Sequence, residues 1–336
     1  MKIIGIKIAL FEVTDANRLF DLTLLDGMQR DRWIHSHSSS STGHAQIMRV
    51  TTDEGIEGVC TVTQRTLGDV DQSLLAQLRH LTIGENPLYR EKLYQKLHTG
   101  TRWVYQEPGW AAAFDNCLWD IAGKTADLPV HALIGRVRER IPAYHNIGGP
   151  TKAAAAEHAV RVVADGFPAV KDHFYHSVRE NIRWLEEPLP DRQQNKLIEL
   201  CDTLDIPVLA PEMMMNDVDL CAQWLLSGAT DMIRANAAHG TTTVFKLAHL
   251  AEMHGTNVEL NGSGGLYGLV HAHLLCCIAN TSYYEYFGGG QERSGLELGM
   301  TNPPLPLAGH VAPPDGPGWG AEWDWDFFAS RQVGEL

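Results

Sequence analysis

The chain has 336 residues, with 27 Lys and Arg against 41 Asp and Glu, a formal charge of −14. That balance argues against a nucleic-acid or anionic-membrane surface. A content of 44% hydrophobic and 20% charged residues is globular and excludes a disordered chain.

No apolar run approaches the ~18 residues of a membrane helix. The opening MKIIGIKIALFEV alternates like a strand and lacks a small-residue cleavage site, so no signal peptide is expected. The six cysteines form no C-x-x-C pair, which points to a reducing, cytoplasmic setting.

The first part of the chain reads as β. Lys2–Val13 alternates, and Ile47–Val62 is a hairpin around Asp53-Glu54-Gly55. Between them, His35–Gly43 (HSHSSSSTG) is too polar to bury, and is expected as a mobile Ser-rich loop rather than a metal site. Helical patterns follow at Asp69–Leu81, Asn86–His98 and Gly109–Ala126, the last with Ala113, Cys117 and Ile121 on one face. Strands followed by helices predict an α+β unit.

From Ile141 short apolar runs alternate with helices: IPAYHNI, PAVKDH, IRWLEEP, IPVLAPE, DMIRAN, NVELNG and YYEYF, with helices over Ala153–Ala164, Asn195–Thr203, Val218–Ser227, Thr242–His254 and Gly268–Ala279. This is the grammar of βαβ units on a parallel sheet, and seven strands favour a barrel.

In such a barrel the chemistry sits at the C-terminal strand ends. The polar residues there are Asn146, Lys171, Glu186, Glu212, Asn236, Asn261 and Glu285, at intervals of 25, 15, 26, 24, 25 and 24 residues. A single glutamate at such a position is more often a solvated rim residue. Two glutamates and a lysine in phase with the repeat offer oxygen ligands for a hard divalent cation and an amine that could remove a proton. The chemistry implied is proton abstraction next to a carboxylate. His173 lies two residues beyond Lys171, hence on the same side of a strand. It could share the base role or bind the substrate carboxylate. Alternation leaves open whether Glu186 or Glu187 is the inward residue.

The run AAFDNCLWDIAGKTADLPVHALIG, then VKDH, WLEEPLP, IPVLAPE, the helix ending LAEMHG and the closing PPDGPGWG resemble the mandelate racemase / muconate lactonizing enzyme branch of the enolase superfamily, which includes acid-sugar dehydratases. The resemblance implies an α/β architecture: an α+β capping domain (1–135, closed by the tail 310–336) over a modified (β/α) TIM-type barrel (136–309). It implies Mg²⁺ on Glu186 and Glu212, Lys171 and His173 as the proton-moving pair, and Glu285 as the acidic residue of the last strand. A carbon–oxygen lyase is the expected activity, acting on a small sugar-derived hydroxy acid. The expected assembly is a homo-oligomer, without nucleic-acid or membrane partners.

Two departures qualify this. The positions that resemble a second acid/base dyad are Asn236 and Asn261, and amides do not titrate. One-sided elimination of water then remains, with both amides binding substrate hydroxyls. The short interval before Glu186 leaves about 35 residues missing from the ~25-residue barrel repeat, which would include the third strand and its metal-binding Asp. Only FYHSVREN separates PAVKDH from IRWLEEP, less than the dozen or so residues a parallel crossover takes. A segment absent from the sequence, a deletion and a seven-stranded variant all account for the shortfall. Asp172 is a weak substitute ligand, because it alternates away from Lys171. Alternative activities are an epimerase or cycloisomerase, with Tyr144 or His145 as second proton carrier, and a barrel that only binds its ligand.

Overall fold

Alternating apolar residues build three antiparallel strands, β1 (Ile3–Leu25), β2 (Arg32–Thr52) and β3 (Glu57–Thr63), with Ile3, Ile8, Met48 and Val50 buried. The hairpin turn falls on Asp53–Gly55, where Gly55 has φ +79°. Four helices follow: α1 (Gln72–Thr82), α2 (Arg90–Val104), α3 (Ala112–Ala126) and α4 (Val130–Ile134). Helix α3 is the hub, with Ala113, Cys117 and Ile121 buried as the spacing predicts. β3 approaches it so closely that a Cβ on Gly58 would stand 2.2 Å from the Cys117 carbonyl oxygen. The structure, a computed structural model, describes residues 1–25, 32–63, 70–148, 151–172, 182–262, 265–288 and 294–336.

The expected loop His35–Gly43 is instead part of β2. Its backbone pairs with the far half of β1, with His35 opposite Leu22, His37 opposite Phe20 and Gly43 opposite Val13. A ribbon of two strands satisfies its backbone by cross-pairing alone and needs no buried face, so it leaves no alternating pattern to read.

The second unit runs β4 (Ile141–Ile147), α5 (Lys152–Ala164), β5 (Ala169–Asp172), β6 (Leu185–Glu186), α6 (Gln194–Thr203), β7 (Val208–Ala210), α7 (Val218–Leu226), β8 (Met232–Ala235), α8 (Thr241–Met253), β9 (Val258–Leu260), α9 (Gly265–Cys277) and β10 (Tyr284–Tyr286). All seven expected strand runs form strands. The chain closes with β11 (His310–Val311), α10 (Trp325–Arg331) and β12 (Gln332–Glu335).

β10, β4 and β5 form one parallel ladder and β6 to β9 another. Among the described residues no ladder joins β5 to β6 or β9 to β10, and no strand lies between β5 and β6. The tail returns to the first unit, where β12 pairs with β1. Among the described residues, no helix is long and apolar enough to cross a membrane.

The two units are fastened by polar contacts from α3. Helix α8 is preceded by Gly240, at φ +103° and with no side chain to cap it. Asp115 and Asn116 of α3 supply the acceptors instead, taking hydrogen bonds from the backbone N–H groups of Thr242 (2.8 Å) and Thr241 (2.9 Å). One turn further along α3, Asp120 accepts from the N–H groups of Val59 and Trp319, and the Trp319 indole donates to the Asn116 carbonyl. These contacts fix the segment after β8, which carries Asn236.

Candidate active site

Lys171 and Glu186 stand on β5 and β6, and Glu285 on β10. The Lys171 ammonium donates to Glu186 Oε1 at 2.5 Å and to Glu285 Oε1 at 2.9 Å. Asn146, at the end of β4, donates to Glu285 Oε1 at 3.3 Å. Glu187 turns away: at φ +46°, its carboxylate accepts from the Glu212 backbone N–H. Of the two adjacent glutamates, Glu186 is therefore the one that meets the lysine.

The largest element that reading by strand ends overlooks is Arg234. Its side chain is fully buried, and Nη2 donates to Glu186 Oε1 at 3.0 Å and Glu285 Oε2 at 2.7 Å, while Nε lies 3.9 Å from Glu212 Oε2. The available signal was an arginine inside an apolar strand run (DMIRAN), two residues before Asn236. A buried charge there requires a buried partner. Burial alone would push the guanidinium toward neutrality, but Glu285, Glu186 and Glu212 more than reverse this and hold it charged.

Glu285 is expected as a substrate-binding residue, yet its side chain is 0% exposed. It accepts from Lys171, Arg234, Asn146 and the Gly262 N–H (2.7 Å), which places it in the frame of the site rather than on its surface. Burial works against its charge, but Arg234 and Lys171 hold the carboxyl down to about 2. Glu212, a third exposed, is pushed up by burial first, with Arg234 opposing and Glu186 adding to the rise.

Asn236 and Asn261, expected to bind substrate hydroxyls, bond to one another. Asn236 Nδ2 donates to the Asn261 carbonyl at 3.1 Å, and its Oδ1 accepts from the Ala238 N–H at 2.8 Å. His173 lies outside the described residues.

The expected magnesium does not fit the residues present. Mg²⁺ takes about six oxygens in near-octahedral order, whereas Glu186 Oε1 already faces two cations and Arg234 stands between Glu186 and Glu212. Among the described residues, Glu186 Oε2 and Asn146 Oδ1 are the open acceptor oxygens beside them, fewer than such a shell needs. Among them, no group of three His, Cys, Asp or Glu side chains is arranged to hold a metal ion.

Comparison with known proteins agrees with the fold. Residues 26–135 match the family of mandelate racemase / muconate lactonizing enzyme N-terminal domains, and residues 173–327 match the enolase C-terminal domain-like family. An N-succinyl-L-Arg/Lys racemase of Bacillus cereus is 25% identical over 283 residues, covering 69% of this chain and 75% of its own length. An L-talarate/galactarate dehydratase of Salmonella typhimurium is 24% identical over 298 residues, covering 72% of each. The D-galactonate dehydratase family members of Catenulispora acidiphila and Cellvibrio japonicus are matched over only 41% and 32% of their lengths.

In the racemase alignment, the 283 positions take up 69% of the 336 residues here, about 232, so about fifty positions of that relative face no residue of this chain. That shortfall is of the order the repeat spacing implies. The crystal structure of an Agrobacterium tumefaciens D-glucarate dehydratase complexed with magnesium superposes with a TM-score of 0.81 at 23% identity, over 99% of this chain and 100% of that one. The likeness shows the fold: an N-terminal cap over a TIM-type barrel. The chain belongs to the enolase superfamily, in its mandelate racemase / muconate lactonizing enzyme branch.

Proposed function

We propose that this chain abstracts the proton α to the carboxylate of a sugar-derived hydroxy acid and eliminates the β-hydroxyl as water. The observation that carries the reading is Lys171, partly exposed at the end of β5 among Glu186, Glu285 and Asn146. Its amine would take the α-proton as the carboxylate becomes an enediolate. The electron pair then expels the β-hydroxyl, which leaves as water with a proton returned by Lys171 or His173. The ammonium formed on Lys171 faces the enediolate charge, and no step is assigned to a metal.

Relatives named as dehydratases support this choice. Two-base racemisation needs a second proton carrier, and Asn236 and Asn261 cannot titrate. Tyr144 is buried, its phenol held well above its ordinary range by burial and then by Glu285. The His145 Nδ1 is taken up by the Asn146 carbonyl at 2.6 Å.

One observation favours a second reading, a member that binds its acid sugar without turning it over. Lys171 donates to two carboxylates, whereas a base must present a lone pair. Incubation with a panel of aldonic and aldaric acids in D₂O separates the two. Exchange of the α-proton, lost by about 10²-fold or more in Lys171→Ala, supports catalysis. Calorimetric binding with no exchange anywhere in the panel supports the second reading, and exchange that survives Lys171→Ala removes Lys171 as the base.

A further inference from the structure

We infer that Arg234 is the resident cation of this site, standing among Glu186, Glu212 and Glu285 so that the chain binds no divalent metal there. Three carboxylates close around two cations of the chain itself, Lys171 and Arg234, leaving the cluster one negative charge from neutrality. Arg234 has nowhere to withdraw. Its side chain is fully buried on β8, a strand held on both sides by β7 and β9. A Mg²⁺ ion shared by Glu186 and Glu212 would need oxygens at about 2.0–2.1 Å, in space the guanidinium occupies.

The unsatisfied atoms point the same way. Among the described residues, Arg234 Nε and Nη1 lack hydrogen-bond partners, as do the oxygens Glu186 Oε2, Asn146 Oδ1 and the Tyr144 hydroxyl. Metal ions take only acceptors, while two open guanidinium N–H groups repel a cation and attract an oxyanion. This inference concerns cation binding by the unliganded protein and stands whether or not the proposed elimination occurs.

The test is a Mn²⁺ titration of full-length, EDTA-treated protein, read by the electron paramagnetic resonance of free Mn²⁺, with the thermal midpoint followed in Mg²⁺. Wild type is expected to bind no stoichiometric Mn²⁺ and to keep its midpoint. Arg234→Gln, which unpairs the carboxylates but keeps a polar side chain, is expected to gain Mn²⁺ affinity by about tenfold or more and to be stabilised by Mg²⁺. Arg234→Lys, which keeps the charge, is expected to stay as insensitive as wild type. Stoichiometric Mn²⁺ on wild type, displaced by Mg²⁺, overturns the inference, as does Arg234→Gln that folds but gains nothing. If Arg234→Gln does not fold, the wild-type titration decides alone.

Discussion

The interiors of the two parallel sheets are held differently from the seams between them. Within β6–β9 the strands are joined by backbone ladders, and Leu209, Ile233, Val258 and Leu260 are buried. At the β9/β10 seam, with no ladder among the described residues, buried carboxylates reach across. Glu259 accepts from the N–H groups of Ser282 (2.9 and 3.1 Å) and Tyr283 (3.4 Å), and Glu285 accepts from that of Gly262. At the β5/β6 seam the link is the Lys171–Glu186 ion pair. Apolar burial is non-directional and tolerates small displacements of a side chain, whereas a buried charge is stable only when each partner is in place. The seams are therefore where this fold breaks most sharply, and where its chemistry collects.

The largest loss is expected from Glu285→Leu. It strands both Arg234 and Lys171 beside one remaining shared carboxylate, and urea unfolding should show a loss of about 3–5 kcal/mol. Glu259→Gln comes next. The amide keeps one acceptor oxygen but turns an NH₂ toward the Thr281 hydroxyl and the backbone N–H groups of Ser282 and Tyr283, and the same measurement should give up to about 3 kcal/mol. An unchanged midpoint in either variant would show that the seams carry no special weight.

The ladder half is tied to α9 by His271, whose Nε2 accepts from the Ala237 N–H just beyond β8 at 3.0 Å, so the ring is held neutral. Burial pushes His271 down to about 3 from 6.5. The unfolded chain then binds more protons than the folded one between those values, so the stabilising contribution is complete above about pH 6.5 and is lost as the pH falls toward 3. At pH 5 this amounts to about 2 kcal/mol. His271→Gln retains an acceptor without the proton, so its thermal midpoint should fall less than wild type's between pH 7 and pH 5. Equal falls would mean that the buried histidine does not set the acid limit.

This contrast also explains what the sequence made legible. Seven strands and most helices show in the apolar periodicity because each buries a continuous face, as Ala113, Cys117 and Ile121 do on α3. Lys171 and Glu285 are legible because they keep phase with the barrel repeat, whereas Glu186 follows the short interval and is separated from Glu187 by the family resemblance alone. Arg234 is not legible from the strand ends because it lies inside its strand, where its partners 48 and 51 residues away make its burial intelligible. The far half of the β1–β2 ribbon, with His35–Gly43, is not legible because backbone pairing alone imposes no side-chain pattern. The contacts of Asp115 and Asn116 with the start of α8, 127 and 125 residues along the chain, depend on packing between two units, which neither segment encodes alone.

The smallest effect is expected at the β5/β6 seam itself. Lys171 and Glu186 are 18% and 14% exposed, so water partly screens the pair, and Arg234 still neutralises Glu186 and Glu285 after Lys171→Met. The predicted global cost is about 1 kcal/mol, well below that of Glu285→Leu. The local effect should be larger than the global one. Among the described residues β5 has a ladder on one side, with β4, and the lysine ties it to Glu186 of β6. Hydrogen exchange should therefore quicken at residues 169–172 in Lys171→Met while the amides of β7 and β8 keep their wild-type protection. Equal acceleration in both sheets would mean that the lysine supports the whole site rather than the seam, and that the sheets, despite their separate ladders, open as one unit.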